Sequence, residues 1–169
     1  EMRFFYPAPP PGTVTASKDV TYGAAGTVLQ MDVYRPASQS AALPAIIFFN
    51  AATGAQRGNP FYRSWGEIAA SKGLVTIVPD LRRDSLARDF ESLLAHIGAR
   101  ASNYGIDQNA IAVYAGSGNV FSAFPVIQNP ARTEIKAAVM YYGTANVSQF
   151  RTDLPVLIVR AGLDRPELN

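Results

Sequence analysis

Hydrophobic residues along this chain recur at two spacings, and the spacing switches several times. Across 27–35, Leu29, Met31 and Val33 alternate with Gln30, Asp32 and Tyr34, the two-residue period of a strand with one wet face. Residues 18–22 precede it across Gly23-Ala24-Ala25-Gly26, so the two segments read as paired strands. Beyond a loop at 36–44, the run Ala45-Ile46-Ile47-Phe48-Phe49 is apolar throughout, which predicts a strand covered on both faces. A helix is predicted over 61–72, with Trp65, Ile68 and Ala69 on one side and Gly73 as its stop. A buried strand at 74–78 follows. Next comes a long helix at 84–103, capped by Asp84 and carrying Leu86, Phe90, Leu93, Leu94 and Ile97 at helical spacing.

The last third repeats the alternation. Residues 110–114 form an apolar strand that stops at Gly116-Ser117-Gly118, and Val120, Phe121 and Phe124 resume on a segment helical as far as Pro125. Strands at 135–142 and 154–160 complete the pattern; positions 154–159 are apolar at every step, as suits a strand flanked by neighbours rather than a bare edge. Strands alternating with helices predict an α/β fold, a mainly parallel doubly wound sheet whose opening pair is an antiparallel edge. The four prolines of 3–12 remove donors and fix φ, so residues 1–17 read as an extended arm whose aromatic residues pack on a single domain at 18–169.

Three loops bring chemistry to one edge of that sheet. Ligands of open parallel sheets bind at the carboxyl ends of the strands. Ser117, Asp164 and the segment Asn50-Ala51-Ala52 each follow such an end. A serine at a sharp strand-to-helix break holds its hydroxyl clear of the sheet and aims free helix N–H groups at what it attacks. Together these loops suggest a nucleophile, an acid and backbone donors for an oxyanion. A plain glycine-rich turn at 116–118 and a capping aspartate at 164 are the bland readings of the same residues. Asp80, Arg82 and Arg83 also follow a strand and read as a solvated ion-pair cluster, while Tyr141 and Tyr142 read as walls of the site.

Composition narrows the chemistry. The net charge of +2 and twelve scattered arginines leave no basic stripe for nucleic acid, and no apolar run approaches a membrane span. Without cysteine, thiolate metal sites and thiol catalysis are excluded; one histidine cannot build a multi-histidine metal site, so no metal or cofactor is expected. No apolar leader follows Met2, which makes a cytoplasmic location the default.

The strings Leu29-Gln-Met-Asp-Val-Tyr-Arg-Pro36, 45–54, Val78-Pro-Asp-Leu-Arg82, Val113-Tyr-Ala-Gly-Ser-Gly118 and Leu157-Ile-Val-Arg-Ala-Gly-Leu-Asp164 together resemble an α/β-hydrolase of the esterase or dienelactone-hydrolase kind. The resemblance implies Ser117 as nucleophile, Asp164 as acid and Ala52 with Gly118 as oxyanion donors. It further implies an acyl-enzyme route on a small ester, with Asn50, Ala51 and Tyr142 beside the substrate and no cofactor. Two departures stand out. The family's elbow is Gly-x-Ser-x-Gly, whereas Ala115 and Asn119 occupy the outer positions here. The family's histidine follows the acid, and the only histidine here is His96, about 17 Å along the 84–103 helix and running away from the active edge. His96 is excluded as the base. The chain therefore reads as lacking the last strand, the last helix and the histidine, which a further segment or separate chain would supply. The rival is a non-catalytic hydrolase-like domain that binds a ligand or partner. A phosphate-binding turn fits poorly, because Phe121 stands where a dinucleotide fingerprint needs glycine.

Overall fold

A computed structural model describes residues 7–24, 26–51, 57–146, 149–160 and 162–163. The hairpin is β1 (Val14–Ala24) and β2 (Val28–Pro36). Then come β3 (Leu43–Phe49), α1 (Pro60–Ser71), β4 (Val75–Pro79), α2 (Leu86–Tyr104), β5 (Ile106–Gly116), α3 (Gly118–Ile127), β6 (Ile135–Tyr141) and β7 (Val156–Val159). The strands form one seven-stranded sheet in the order β1-β2-β4-β3-β5-β6-β7. β1 and β2 run antiparallel to their neighbours, and β4, β3, β5, β6 and β7 are parallel. The doubly wound sheet with an antiparallel edge is thus as the periodicity predicts.

Helices cover both faces. Phe90, Leu93 and Ile97 of α2 and Val120, Phe124 and Ile127 of α3 pack with Ile47, Phe49, Val113 and Met140 into the main core. On the opposite face α1 seats Tyr62 and Ala70 against Tyr34, Phe48 and Val78. Its Gly66 lies flat on the Tyr34 ring, where a Cβ would come 2.9 Å from Cδ2. This second layer corrects the reading of β2 as half wet: Asp32 and Tyr34, expected on the water side, are buried beneath α1 and its neighbours.

Other local expectations shift for identifiable reasons. Asp84 does not cap α2; it sits within a 3₁₀ turn at Arg83–Ser85, and the helix starts after it. Pro125 lies inside α3 rather than ending it. Trp65 points partly to water while Tyr62, Gly66 and Ile68 face the sheet, and Phe121 and Phe150 are exposed rather than core. β7 departs most from expectation. Leu157 and Ile158 are 60% and 54% exposed, so this apolar strand forms a bare edge among the described residues.

Candidate active site

β5 rises through the centre of the sheet and ends at Gly116, and α3 begins two residues later at Gly118. Ser117 alone makes the reversal. It has φ 56° and ψ −133°, a positive-φ conformation that L-residues rarely hold and that costs about 1–3 kcal/mol. Neighbouring structure enforces it from two sides: Ser117 N–H donates to the Tyr141 carbonyl at 2.9 Å, and its own carbonyl accepts from Val120 N–H at 3.0 Å. The side chain makes no capping bond to its helix, and both Ser117 and Gly118 are exposed at the carboxyl edge. Among the described residues the Ser117 hydroxyl has no hydrogen-bond partner.

The displaced glycines of the elbow have physical explanations. At Gly116 a Cβ would sit 3.3 Å from the Tyr114 hydroxyl, so glycine makes room for a phenol that reaches up from two residues earlier in β5. Ala115 is fully buried under the turn. Asn119, the less expected substitution, is buried with its Nδ2 donating to the Tyr62 hydroxyl at 3.4 Å, which ties α3 to α1. The close approach that glycine usually provides within the motif is supplied instead by Gly143. A Cβ there would lie 2.5 Å from the Ser117 carbonyl oxygen and 2.8 Å from Val120 Cβ. Sequence reasoning passed over Gly143, since a glycine after Tyr141-Tyr142 looks like any turn.

Asn50 follows β3, one step beyond the Phe49–Ala115 register pair and so beside the elbow. Its side chain is fully buried, yet neither Nδ2 nor Oδ1 has a hydrogen-bond partner among the described residues. Ala51 beside it is fully buried. Tyr142 sits at the end of β6 with φ 37° and its N–H bonded to the Val159 carbonyl at 2.8 Å. Asp164 and Ala52, the expected acid and oxyanion donor, lie outside the described residues. Ser117, Gly118, Asn50, Ala51 and Tyr142 therefore gather at one rim.

His96 belongs to the other rim. Its Nε2 is 2.8 Å from the hydroxyl of Tyr104, the last residue of α2, and the rings stack. β5 starts two residues later, so the full length of that strand separates the pair from Ser117. Burial and the nearby Arg100 hold its pKa below the usual imidazole value.

A second polar cluster occupies the β2–β4 corner. Arg57, at the end of the β3–α1 connection, reaches Asp32 Oδ1 at 2.7 Å, Asp19 Oδ1 at 2.7 Å, Asp80 Oδ2 at 3.1 Å and Gln30 Oε1 at 3.2 Å. Lys18 Nζ donates to Asp32 Oδ2 at 2.8 Å and to the Tyr34 hydroxyl, while lying over the Tyr34 ring. Burial alone would raise the Asp32 carboxyl, but the bonds from Lys18, Asp19 N–H and Arg57 outweigh it and hold its pKa below the ordinary value. Burial likewise opposes the Arg57 charge, and its three carboxylate partners overcome that and raise its pKa. Arg57 carried no sequence signal, being a lone charge in a polar loop. Of the charges that follow β4, Asp80 joins Arg57, and Arg82 pairs with the buried Asp89. No three of these carboxylates and the histidine gather as metal ligands among the described residues.

No family model and no curated protein matches the chain. Solved structures do. A brefeldin A esterase, described as a bacterial homologue of human hormone-sensitive lipase, superposes with TM-score 0.68 at 17% identity, covering 85% of this chain and 43% of that one. A dienelactone hydrolase-like promiscuous phosphotriesterase from metagenomic libraries gives 0.72 at 17% identity, over 93% and 74%. An esterase of Thermogutta terrifontis gives 0.60 at 21% identity, over 79% and 55%. The chain thus spans about half the length of the first and third.

Proposed function

From a chain that carries the α/β-hydrolase fold, we propose a serine hydrolase acting on carboxylic esters through an acyl-enzyme. Ser117 attacks the acyl carbonyl and a histidine takes its proton. Asp164 orients that histidine, and backbone N–H groups at Ala52 and Gly118 hold the oxyanion until water releases the acid. The observation that carries this reading is the Ser117 backbone, with φ 56° and ψ −133° at an exposed strand-to-helix turn on the carboxyl rim. Strain of this kind persists where surrounding contacts over-determine it and a function uses it. The imidazole comes from polypeptide that also lines β7. Exposed Leu157 and Ile158 favour this, since an apolar strand edge is normally paired or covered.

A non-catalytic domain that binds a ligand or partner is the second reading, and it is favoured by the distance of His96 from the elbow. Hydrolysis of p-nitrophenyl acetate by the full gene product, measured beside Ser117→Ala, separates the two. The esterase reading expects the rate to collapse in the variant. Equal rates in the two proteins would transfer the assignment to the binding domain.

A further inference from the structure

Four tyrosines meet the elbow, each at a different residue. The Tyr114 hydroxyl stands over Gly116, the Tyr141 carbonyl holds Ser117 N–H, the Tyr62 hydroxyl accepts from Asn119, and Tyr142 stands beside Gly143, which packs on the Ser117 carbonyl. Their rings are arranged in order. Phe48 packs with Tyr62 at 6.4 Å and with Tyr114 at 5.0 Å between centroids; Tyr114 stacks on Tyr141 at 6.4 Å, and Tyr141 meets Tyr142 edge-on at 5.4 Å. The row starts in the α1 core with Tyr62 buried and ends in the open, where Tyr141 and Tyr142 are 44% and 42% exposed. All of these separations fall in the range at which aromatic rings attract one another.

The hydroxyls matter as much as the rings. Those of Tyr114, Tyr141 and Tyr142 make no hydrogen bond to the described residues, although Tyr114 is partly buried. Burial first, then the neighbouring phenols of Tyr141, Tyr62 and Tyr142, push Tyr114 up to about 12, and burial also raises Tyr62. Near neutral pH the phenols of Tyr114 and Tyr62 are therefore uncharged donors. Tyr142 is fixed in place: its positive φ of 37° is held by the bond to Val159 and by the tight seat of Gly143.

We infer that this row is the substrate subsite of the enzyme, and that it selects esters carrying an aromatic ring with an oxygen substituent. The inference rests on the serine hydrolase reading for what happens to the ester, but not for whether the ring binds. An added aryl group continues the sequence of rings beyond Tyr141 and Tyr142, and its oxygen accepts from a phenol that no described residue engages. An aliphatic acyl group would gain neither the ring pairing nor that bond.

The test uses neutral analogues that are not turned over as esters. Titrations of the chain with 4-methoxybenzamide and with cyclohexanecarboxamide are followed by calorimetry and by tyrosine ring resonances. The aryl compound is expected to bind about three- to tenfold more tightly, the advantage a good ring pair confers. Tyr142→Ala and Tyr114→Phe should each remove most of that preference, whereas Phe121→Ala, an exposed ring on α3, should keep it. If thermal melts show Tyr142→Ala unfolded, Tyr142→Leu decides, since it retains bulk without a ring face. Equal affinity for the two compounds, or a preference untouched by both tyrosine variants, overturns the inference and assigns the rings to cover by polypeptide. Labelling of Ser117 by an alkyl fluorophosphonate is scored separately, on the full gene product. Labelling without aryl preference would retain the hydrolase and lose the subsite; aryl preference without labelling would do the reverse.

Discussion

Two corners of the same sheet rim treat their polar groups in opposite ways. At the β2–β4 corner every charge is answered: Asp32 accepts from Lys18, Arg57 and the Asp19 amide, and Arg57 spreads its guanidinium over three carboxylates. At the β5–β6 corner, among the described residues, the Asn50 amide has no partner and the Ser117 hydroxyl caps nothing, and the backbone is strained at Ser117 and Tyr142. Buried polar groups are nearly always paired, and one left unpaired costs roughly 1–3 kcal/mol. The saturated corner is therefore structural and fastens the end of the β3–α1 connection to β1, β2 and β4. The unsaturated corner has hydrogen-bonding capacity that no described residue uses.

Substitutions can break that comparison, and the largest effect belongs to the elbow. Ser117→Ala should lower ester hydrolysis by the full gene product by about 10⁴-fold or more while leaving the urea midpoint nearly unchanged. A modest fall in rate would remove Ser117 from the chemistry. At the saturated corner the pattern inverts: Arg57→Ala leaves the buried Asp32 with Lys18 as its one remaining cation beside the Asp19 amide, and should cost about 3 kcal/mol in urea unfolding. A loss under 1 kcal/mol would mean the network is a solvated surface feature. Gly143→Ala drives a methyl into the Ser117 carbonyl and Val120, and should cost about 1–3 kcal/mol together with most of the activity. Retained activity there would show that the elbow does not depend on the close approach.

Two smaller effects sharpen the contrast. Ser117→Gly relieves the positive φ and should stabilise the fold by about 1 kcal/mol, the reverse of what a structural serine would give. The carboxyls of Asp32 and Asp89 titrate below their ordinary values because their hydrogen bonds outweigh burial. Their contribution is thus complete above the unfolded-state pKa of about 3.9 and is lost as pH falls through the lower folded values. The urea midpoint should drop steeply below about pH 4, and less steeply in Asp32→Asn, which should also be the weaker protein at neutral pH. Parallel curves for the two proteins would detach Asp32 from the acid limb.

Much of this architecture was legible because burial leaves a periodic trace. The runs at 45–49, 74–78 and 110–114 and the spacing of Phe90, Leu93, Leu94 and Ile97 reappear as β3, β4, β5 and α2. What failed were positions whose environment is set by distant chain. Asp32 looks wet until α1 and Arg57 close over it. Residues 154–159 look like an interior strand, yet β7 pairs only with β6 among the described residues and leaves Leu157 and Ile158 more than half exposed. β5 begins at Ile106, earlier than its apolar core, because Asp107, Gln108 and Asn109 extend it toward water at the amino rim. Of the candidate site, Ser117 was legible from its glycines, while Gly143, Tyr62 and Tyr114 were not, since their importance lies in a contact rather than in a motif.

The strand order has a consequence for how the chain assembles. β3 lies between β4 and β5, both of which follow it along the polypeptide. Pairs such as Phe49 with Ala115 close a long loop, and a strand synthesised early must wait for both flanks to emerge. The hairpin β1–β2 and its partner β4 can meet first. β3 can pair with β4 before that but gains its second flank only when β5 arrives, so the elbow that β5 carries is expected to take shape late.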